Sequence, residues 1–238
     1  MIPEAPSAPA LVAIPPGEFE MGGTENDRFS TDTERPRHRV TLSRAFAVGR
    51  FPVTNSEFRR FDPGHPADED PRLPVVNVSW EDAQGFCSWL GRETGERFRL
   101  PTEAEWEYAC RGGSRAPFSS GDEITPENAN FLYSEDGIRV GVGQRTPPGR
   151  YPSNGFGLED VHGNVCEWVE DAWHPSYRGA PGDGAAWNAD AGAGCRVIRG
   201  GAWDYLPRLL RSAWRDSLPQ SCRRDNVGFR VALDLEGP

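Results

Sequence analysis

Nine side chains could supply thiol or imidazole chemistry, and their spacing argues against the usual sites. They are Cys87, Cys110, Cys166, Cys195, Cys222, His38, His65, His162 and His174. No two cysteines form a C-x-x-C pair, which excludes a zinc ribbon and a thioredoxin-type redox motif. The histidines show no H-E-x-x-H or comparable spacing, so no histidine-based transition-metal site is expected. The sequence therefore predicts free, buried thiols, as is usual in a reducing compartment.

Charge and hydropathy restrict the partners. The net charge is −10, the wrong sign for a protein that binds nucleic acid phosphates. All 26 basic residues are arginine, which excludes lysine Schiff-base and P-loop chemistry. No apolar run approaches the roughly 20 residues of a membrane span, and residues 1–10 do not resemble a signal peptide. We expect a cytoplasmic protein with a protein or small-molecule ligand, no nucleic acid partner and no membrane span.

The local elements predict one irregular α+β domain. The chain has 238 residues with 27 Gly and 22 Pro, a composition typical of loop-rich globular proteins. Capping boxes predict helices that begin after Thr54, Ser79 and Thr102, the last two ending at glycines. Strands are expected within 11–23, within 39–53, at 195–199 and at 228–233, with turns elsewhere after residue 114. We expect a tail over 1–10 and a single domain over 11–238.

Several long motifs carry a family resemblance. They are IPPGEFEMG (14–22), PVVNVSW (74–80), RLPTEAEWEYA (99–109), GFGLEDVHGNVCEW (155–168), and RGGAW (199–203) with NVGFR (226–230). In this order they resemble the formylglycine-generating-enzyme family of domains, from about Leu11 to Val231. The resemblance implies an irregular, loop-rich, C-type-lectin-like α+β fold.

The same resemblance bears on catalysis. Active members of that family bind copper through two cysteines that follow the Gly-Gly turn, and they oxidise a substrate cysteine with dioxygen. The resemblance places Tyr205 and Leu210 at those positions, and neither is a thiolate ligand for Cu(I). We therefore expect no copper and no catalytic residue. The alternative is an oxidase or maturation enzyme with a non-standard site, in which Cys222 or Cys195 is the reactive thiol and His162 the base.

The resemblance also implies two structural calcium sites. The first would use Asn130, the Phe131 carbonyl, Asp136 and the Ile138 carbonyl. The second would use Asp160, the Gly163 and Val165 carbonyls, and Glu167. Mixed carboxylate, amide and backbone oxygens suit Ca²⁺. The alternative is that Asp160 and Glu167 only cap turns.

The segment 199–230 is predicted to be a ligand-binding surface. Its layout resembles the variable region of diversity-generating-retroelement proteins, and aromatic and arginine residues are typical of binding hot spots. The candidate ligand-binding residues are Trp203, Asp204, Tyr205, Leu206, Arg208, Leu209, Trp214, Asp216, Ser217, Leu218, Ser221 and Arg223.

Diversification makes a prediction about burial. Tyr205, Leu206, Arg208, Leu209, Asp216, Ser217, Leu218, Ser221 and Arg223 should be exposed on one face, above a buried scaffold of Leu210, Ala213, Val227 and Phe229. Our leading hypothesis is a non-catalytic binding protein. The alternative for the segment is a solvated loop face with Trp203 and Trp214 packed in the core.

Overall fold

Three helices begin at the predicted capping residues. The computed structural model describes residues 8–24, 27–66, 70–189 and 194–235. Within these ranges the helices are α1 (Asn55–Phe61), α2 (Trp80–Thr94) and α3 (Glu103–Arg111). The side chains of Thr54, Ser79 and Thr102 each accept a hydrogen bond from the third helical amide, and the acid at that position bonds back. The boxes satisfy amides that would otherwise lack a partner.

Ten strands form three sheets in the described ranges. They are β1 (Leu11–Ile14), β2 (Gly17–Met21), β3 (His38–Leu42), β4 (Phe46–Gly49), β5 (Phe98–Arg99), β6 (Cys166–Ala172), β7 (Cys195–Arg199), β8 (Arg215–Pro219), β9 (Val227–Phe229) and β10 (Ala232–Asp234). The sheet orders are β1-β4-β10-β5, β2-β3 and β8-β7-β6-β9. Only the β6–β9 pairing among these is parallel. The arrangement confirms the predicted single α+β domain. Residues 1–7 of the predicted tail and residues 236–238 at the end of the predicted domain lie outside the described residues.

Two strand predictions need correction. The expected strand at 228–233 is two strands, β9 and β10, which belong to different sheets. Strands β5, β6 and β8 were not predicted. Six of the seven residues of β6 are buried, including Glu167 and Asp171. Buried charges interrupt the apolar run by which a central strand is recognised, so the pattern did not indicate a strand.

The sheet β8-β7-β6-β9 separates two parts of the core. Trp168 of β6 and Ile198 of β7 pack in an apolar cluster with α2. Their neighbours Val169 and Val197 pack in a second cluster that contains Trp106 of α3. Successive side chains of a strand point to opposite faces, so the sheet is covered on both sides. None of the described helices combines the length and the apolar character of a bilayer-spanning segment.

Buried ion pairs attach the C-terminal segment to the rest of the chain. Four arginines of this segment are almost fully buried: Arg199, Arg211, Arg215 and Arg230. Each donates to a buried carboxylate from outside the segment: Glu107, Glu34, Glu103 and Glu167, respectively. Burial acts to raise the pKa of Glu107, but Arg111 and Arg199 lower it more, so the net pKa is lowered. Glu107 is therefore charged at neutral pH.

Replacing Glu107 by Gln tests how much this attachment contributes. The change keeps the shape but leaves Arg111 without a counter-charge and Arg199 with only its longer contact to Glu103 at 3.4 Å, and breaking a buried pair costs about 3–5 kcal/mol. We expect urea unfolding to show a loss of that size in the free energy of unfolding. The control is Asp70→Asn, which removes the exposed pair with Arg72 and should leave stability nearly unchanged. Equal effects would contradict the assigned role of the buried pairs.

Candidate functional site

The chain between β7 and β8 turns sharply at two glycines. Gly200 and Gly201 have φ values of 87° and 70°, which side chains other than glycine adopt with strain. A Cβ on Gly201 would lie 2.6 Å from the Leu209 carbonyl oxygen. The turn therefore requires glycine, and it leads into a short 3₁₀ turn at Pro207–Leu209.

This 3₁₀ turn forms one side of an apolar cavity of about 520 Å³, which we call the groove. Its other walls come from residues 27–29, 117–126 and 131–140. The apolar lining consists of Phe29, Pro117, Phe118, Ile124, Pro126, Phe131, Val140 and Pro207. A mainly apolar cleft of this volume is typical of a ligand site.

Charged residues surround the groove, and most are paired. Arg208 donates to Glu135 at 2.7 Å, and Arg211 donates to Asp27 at 2.8 Å. Asp122 and Glu123 also line the groove, and both are exposed. Neither side chain has an ion-pair partner among the described residues. Arg28 is exposed as well, without an ion pair to any described residue, and its guanidinium group lies 4.5 Å from the centre of the Phe29 ring. The unpaired charges of the rim are therefore two carboxylates and one guanidinium group.

The hairpin at 132–141 adds an exposed apolar surface beside the groove. Tyr133 pairs with Arg139 across it. Tyr133, Ile138 and Val140 are 40%, 64% and 41% exposed, and they are three of the four exposed large hydrophobic residues in the described ranges. Val140 also lines the groove. Clustered exposed apolar residues are typical of interaction sites.

The two positions that the resemblance assigned to catalytic cysteines serve packing. Leu210 is completely buried, in a cluster with Phe118, Ala129 and Phe131. Tyr205 packs edge-on against Trp214 with ring centroids 5.6 Å apart. Burial, and then the neighbouring Cys166, raise the pKa of Tyr205, so its phenol stays protonated.

The cysteines are free, as predicted, but two of them are less buried than expected. Cys87, Cys110 and Cys166 are buried, and burial raises the pKa of each thiol, that of Cys110 to about 12. Cys195 and Cys222 are only half-buried. None of the five lines the groove. Since the thiolate is the reactive form, the three buried thiols are poorly suited to redox chemistry.

His162, the candidate base, is held in a neutral form. Its Nδ1 donates to the Leu210 carbonyl at 2.7 Å, and its Nε2 accepts from the Ser119 amide at 2.9 Å. Burial lowers the pKa of His162 to about 4. Both ring nitrogens are thus occupied by backbone groups, an arrangement that favours the structural interpretation of this histidine.

The predicted ligand-binding residues do not form a uniformly exposed face. The exposure predicted for Leu218 is wrong, because it packs in the main core at 6% exposure together with Trp214, also at 6%. Leu210, Ala213, Val227 and Phe229 are buried, as predicted. Asp204, Asp216, Ser221 and Arg223 are exposed, while Trp203, Tyr205, Leu206, Arg208, Leu209 and Ser217 are half-buried. Of the twelve candidates Arg208 lines the groove, and diversification of the segment stays a prediction.

Most residues that line the groove were not among the predicted ligand-binding residues. The residues of the other walls lie up to about 180 positions from Arg208 in the chain. Asp27, the most distant of them, is brought to the groove by its ion pair with Arg211. The one local signal was the occurrence of Pro117, Phe118, Ile124 and Pro126 in a segment otherwise rich in polar turn residues. Apolar residues in an exposed loop are a sign of binding.

Two buried oxygens suit the predicted calcium sites, and one predicted ligand does not. Asn130 Oδ1 and Asp160 Oδ2 are buried without a hydrogen-bond partner, and burial raises the pKa of Asp160 to about 7. A cation at each predicted site would provide the partner that the buried oxygen there lacks. Glu167, in contrast, accepts two hydrogen bonds from Arg230 and one from Trp106, so its charge is already compensated.

The remaining predicted ligands give little support. Asp136 is exposed, and the Ile138 carbonyl accepts from the Ser134 amide. No group of three or more His, Cys, Asp or Glu side chains with the arrangement of a metal site occurs among the described residues. Calcium binding therefore stays a prediction, with Asp160 as its best-supported ligand.

Metal removal tests the calcium prediction. We expect added calcium to raise the melting temperature of chelator-treated protein, since a ligand of the native state adds RT ln(1 + [L]/Kd) to stability. Asp160→Asn should reduce the rise, whereas Asp204→Asn, at an exposed position, should keep it. Glu167→Ala is unsuitable, because it also breaks the pair with Arg230. An identical melting curve with and without calcium would contradict the prediction.

Comparison with known proteins places this geometry in context. Residues 1–235 match the model of the sulfatase-modifying factor enzyme 1-like domain. The formylglycine-generating enzyme of Mycobacterium tuberculosis is 33% identical, over 94% of this chain and 97% of its own length. Among solved structures, PvdO from Pseudomonas aeruginosa is 35% identical with a TM-score of 0.85, covering 95% of each chain. Treponema denticola variable protein 1 has a TM-score of 0.75 at 22% identity, over 94% of this chain and 95% of that one, a likeness of fold alone.

Proposed function

Because the chain belongs to the sulfatase-modifying factor enzyme 1-like domain family, we propose that it is a non-catalytic binding member whose ligand occupies the groove. One observation carries the proposal. The groove lies directly beside the segment 205–210 and is lined by apolar, acidic and arginine side chains, with no cysteine or histidine. Such a lining, which also includes the hydroxyls of Thr125 and Ser134, can bind a ligand, but it holds no thiol or imidazole with which to transform one.

The packing of Tyr205 and Leu210 supports the same conclusion. A thiolate pair at these positions would have to face the ligand, yet Leu210 is directed into the core. Tyr205 contacts the same cluster and the ring of Trp214. These side chains stabilise the floor of the groove, and Cu(I) has no thiolate ligand there.

The rim favours an apolar ligand that carries positive charge. Burying an aliphatic or aromatic group of the ligand against the apolar walls contributes a binding free energy of about 25 cal/mol per Å² of apolar surface removed from water. Asp122 and Glu123 are exposed and without an ion pair among the described residues, and they outnumber the unpaired Arg28, whereas Arg208 and Arg211 are already paired with Glu135 and Asp27. With a net charge of −10, the protein should attract a basic partner. We infer that the ligand is a peptide segment with apolar and basic residues.

Family membership alone does not decide between binding and catalysis, since one fold supports several functions. The relatives include an enzyme by name and a variable protein by name. The proposal therefore depends on the side chains of this groove.

Selection from a random peptide display library tests the proposal. We expect the recovered peptides to be enriched in apolar and basic residues. Val140→Asn, on the groove wall, should weaken the binding of these peptides about tenfold, because an anchoring apolar contact is lost. The matched control is Leu235→Asn, which changes a comparably exposed apolar residue outside the groove lining.

Two results would count against the proposal. Peptides that bind the Val140 and Leu235 variants equally would place the site elsewhere. Peptides that are released in oxidised form would indicate an enzyme.

A further inference from the structure

A second cavity lies against α3 and has no part in the proposed function. It has a volume of about 600 Å³ and lies between β2, the start of β3 and the C-terminal end of α3. A small cavity of about 30 Å³ lies beside it, and both are lined by Arg37, Arg111 and Arg115. We call the two together the arginine pocket.

Two of the guanidinium groups in this pocket lack a counter-charge. Arg111 is neutralised by Glu107 at 2.7 Å. Arg37 and Arg115 are exposed and make no ion pair or side-chain hydrogen bond with any described residue. The buried arginines of this acidic chain are paired with carboxylates, whereas these two exposed guanidinium groups keep their charge available to a ligand. Two unpaired guanidinium groups at one cavity are suited to an anion.

The acidic residues nearby place the anion in the small cavity. Glu18 and Glu20 line only the large cavity, and Glu18 is already paired with Arg39. Asp27 lines the small cavity, but Arg211 holds its carboxylate at 2.8 Å. The positive potential is therefore strongest where Arg37 and Arg115 meet the small cavity.

The dimensions and walls indicate what kind of anion fits. The small cavity has a volume of about 30 Å³, room for about two waters, so it takes the head group of an anion and not its body. The adjoining large cavity has an aromatic wall, where the ring centroids of Phe19 and Tyr108 lie 5.4 Å apart. The hydroxyl of Tyr108 lies directly over Gly17, so a Cβ at that position would displace the Tyr108 ring from its present place. Aromatic walls favour an aromatic or flat apolar ligand body.

We propose that the arginine pocket binds an organic carboxylate with an aromatic body. The carboxylate lies between the guanidinium groups of Arg37 and Arg115, and the ring lies against Phe19 and Tyr108. The small cavity shares Asp27 and Pro117 with the groove, but Arg37 and Arg115, which hold the carboxylate, do not line the groove.

Titration with phenylacetate, followed by NMR chemical shifts of the full chain, tests this proposal. Charge-assisted hydrogen bonds to arginine contribute more than neutral ones. We therefore expect phenylacetamide, the neutral isostere, to bind at least about tenfold more weakly. The double variant Arg37→Ala/Arg115→Ala should bind phenylacetate more weakly by a similar factor. The control is Arg92→Ala, at an exposed arginine of α2, and it should bind as the wild type does.

The alternatives give different results. Equal binding of the acid and the amide, or unchanged binding by the double variant, would overturn the proposal. Inorganic phosphate that binds more tightly than phenylacetate and depends on the same arginines would overturn the carboxylate assignment. Because both arginines are exposed, the variants should melt as the wild type does, so lost binding cannot be ascribed to unfolding.

Discussion

The pairing of buried arginines with distant carboxylates is the constraint on which the C-terminal segment 199–230 depends. Arg199, Arg211, Arg215 and Arg230 lie within about thirty residues of one another, and their partners lie at positions 34, 103, 107 and 167. A guanidinium group removed from water costs several kcal/mol unless a carboxylate compensates it. The segment therefore cannot adopt this conformation by itself, and the rest of the chain must be folded around it.

This constraint also determines where the surface is free to bind. The loop at 117–131 is held to the segment because the Ser212 amide donates to the Pro117 carbonyl and Leu210 packs on Phe118. The groove opens between these two fixed walls. Fixed walls reduce the entropy lost on binding. In the proposed function, the exposed hairpin with Ile138 and the acidic Asp122 and Glu123 would supply the contacts that distinguish one ligand from another.

Local signals predicted local structure well. The boxes at Thr54, Ser79 and Thr102 identified all three helix starts of the described ranges, because a cap depends on residues within one turn. Long-range structure was predicted less well. The buried charges Glu167 and Asp171 concealed β6, since only a distant Arg230 or the amides of Glu103 and Trp187 make their burial tolerable. The groove was missed for the same reason. Its walls are joined by the ion pairs of Arg211 with Asp27 and of Arg208 with Glu135, whose partners lie far apart in the sequence.

The central claim is that a binding function has replaced thiol chemistry at this site. Titration of the reduced protein with Cu(I) in the presence of a competing chelator, followed by oxygen uptake with a cysteine-containing peptide, tests it most directly. We expect no stoichiometric copper and no oxygen consumption above that of the free peptide, because Tyr205 and Leu210 offer no thiolate and His162 is held by backbone groups. One bound copper per chain, together with peptide oxidation at repeated turnover, would contradict this account.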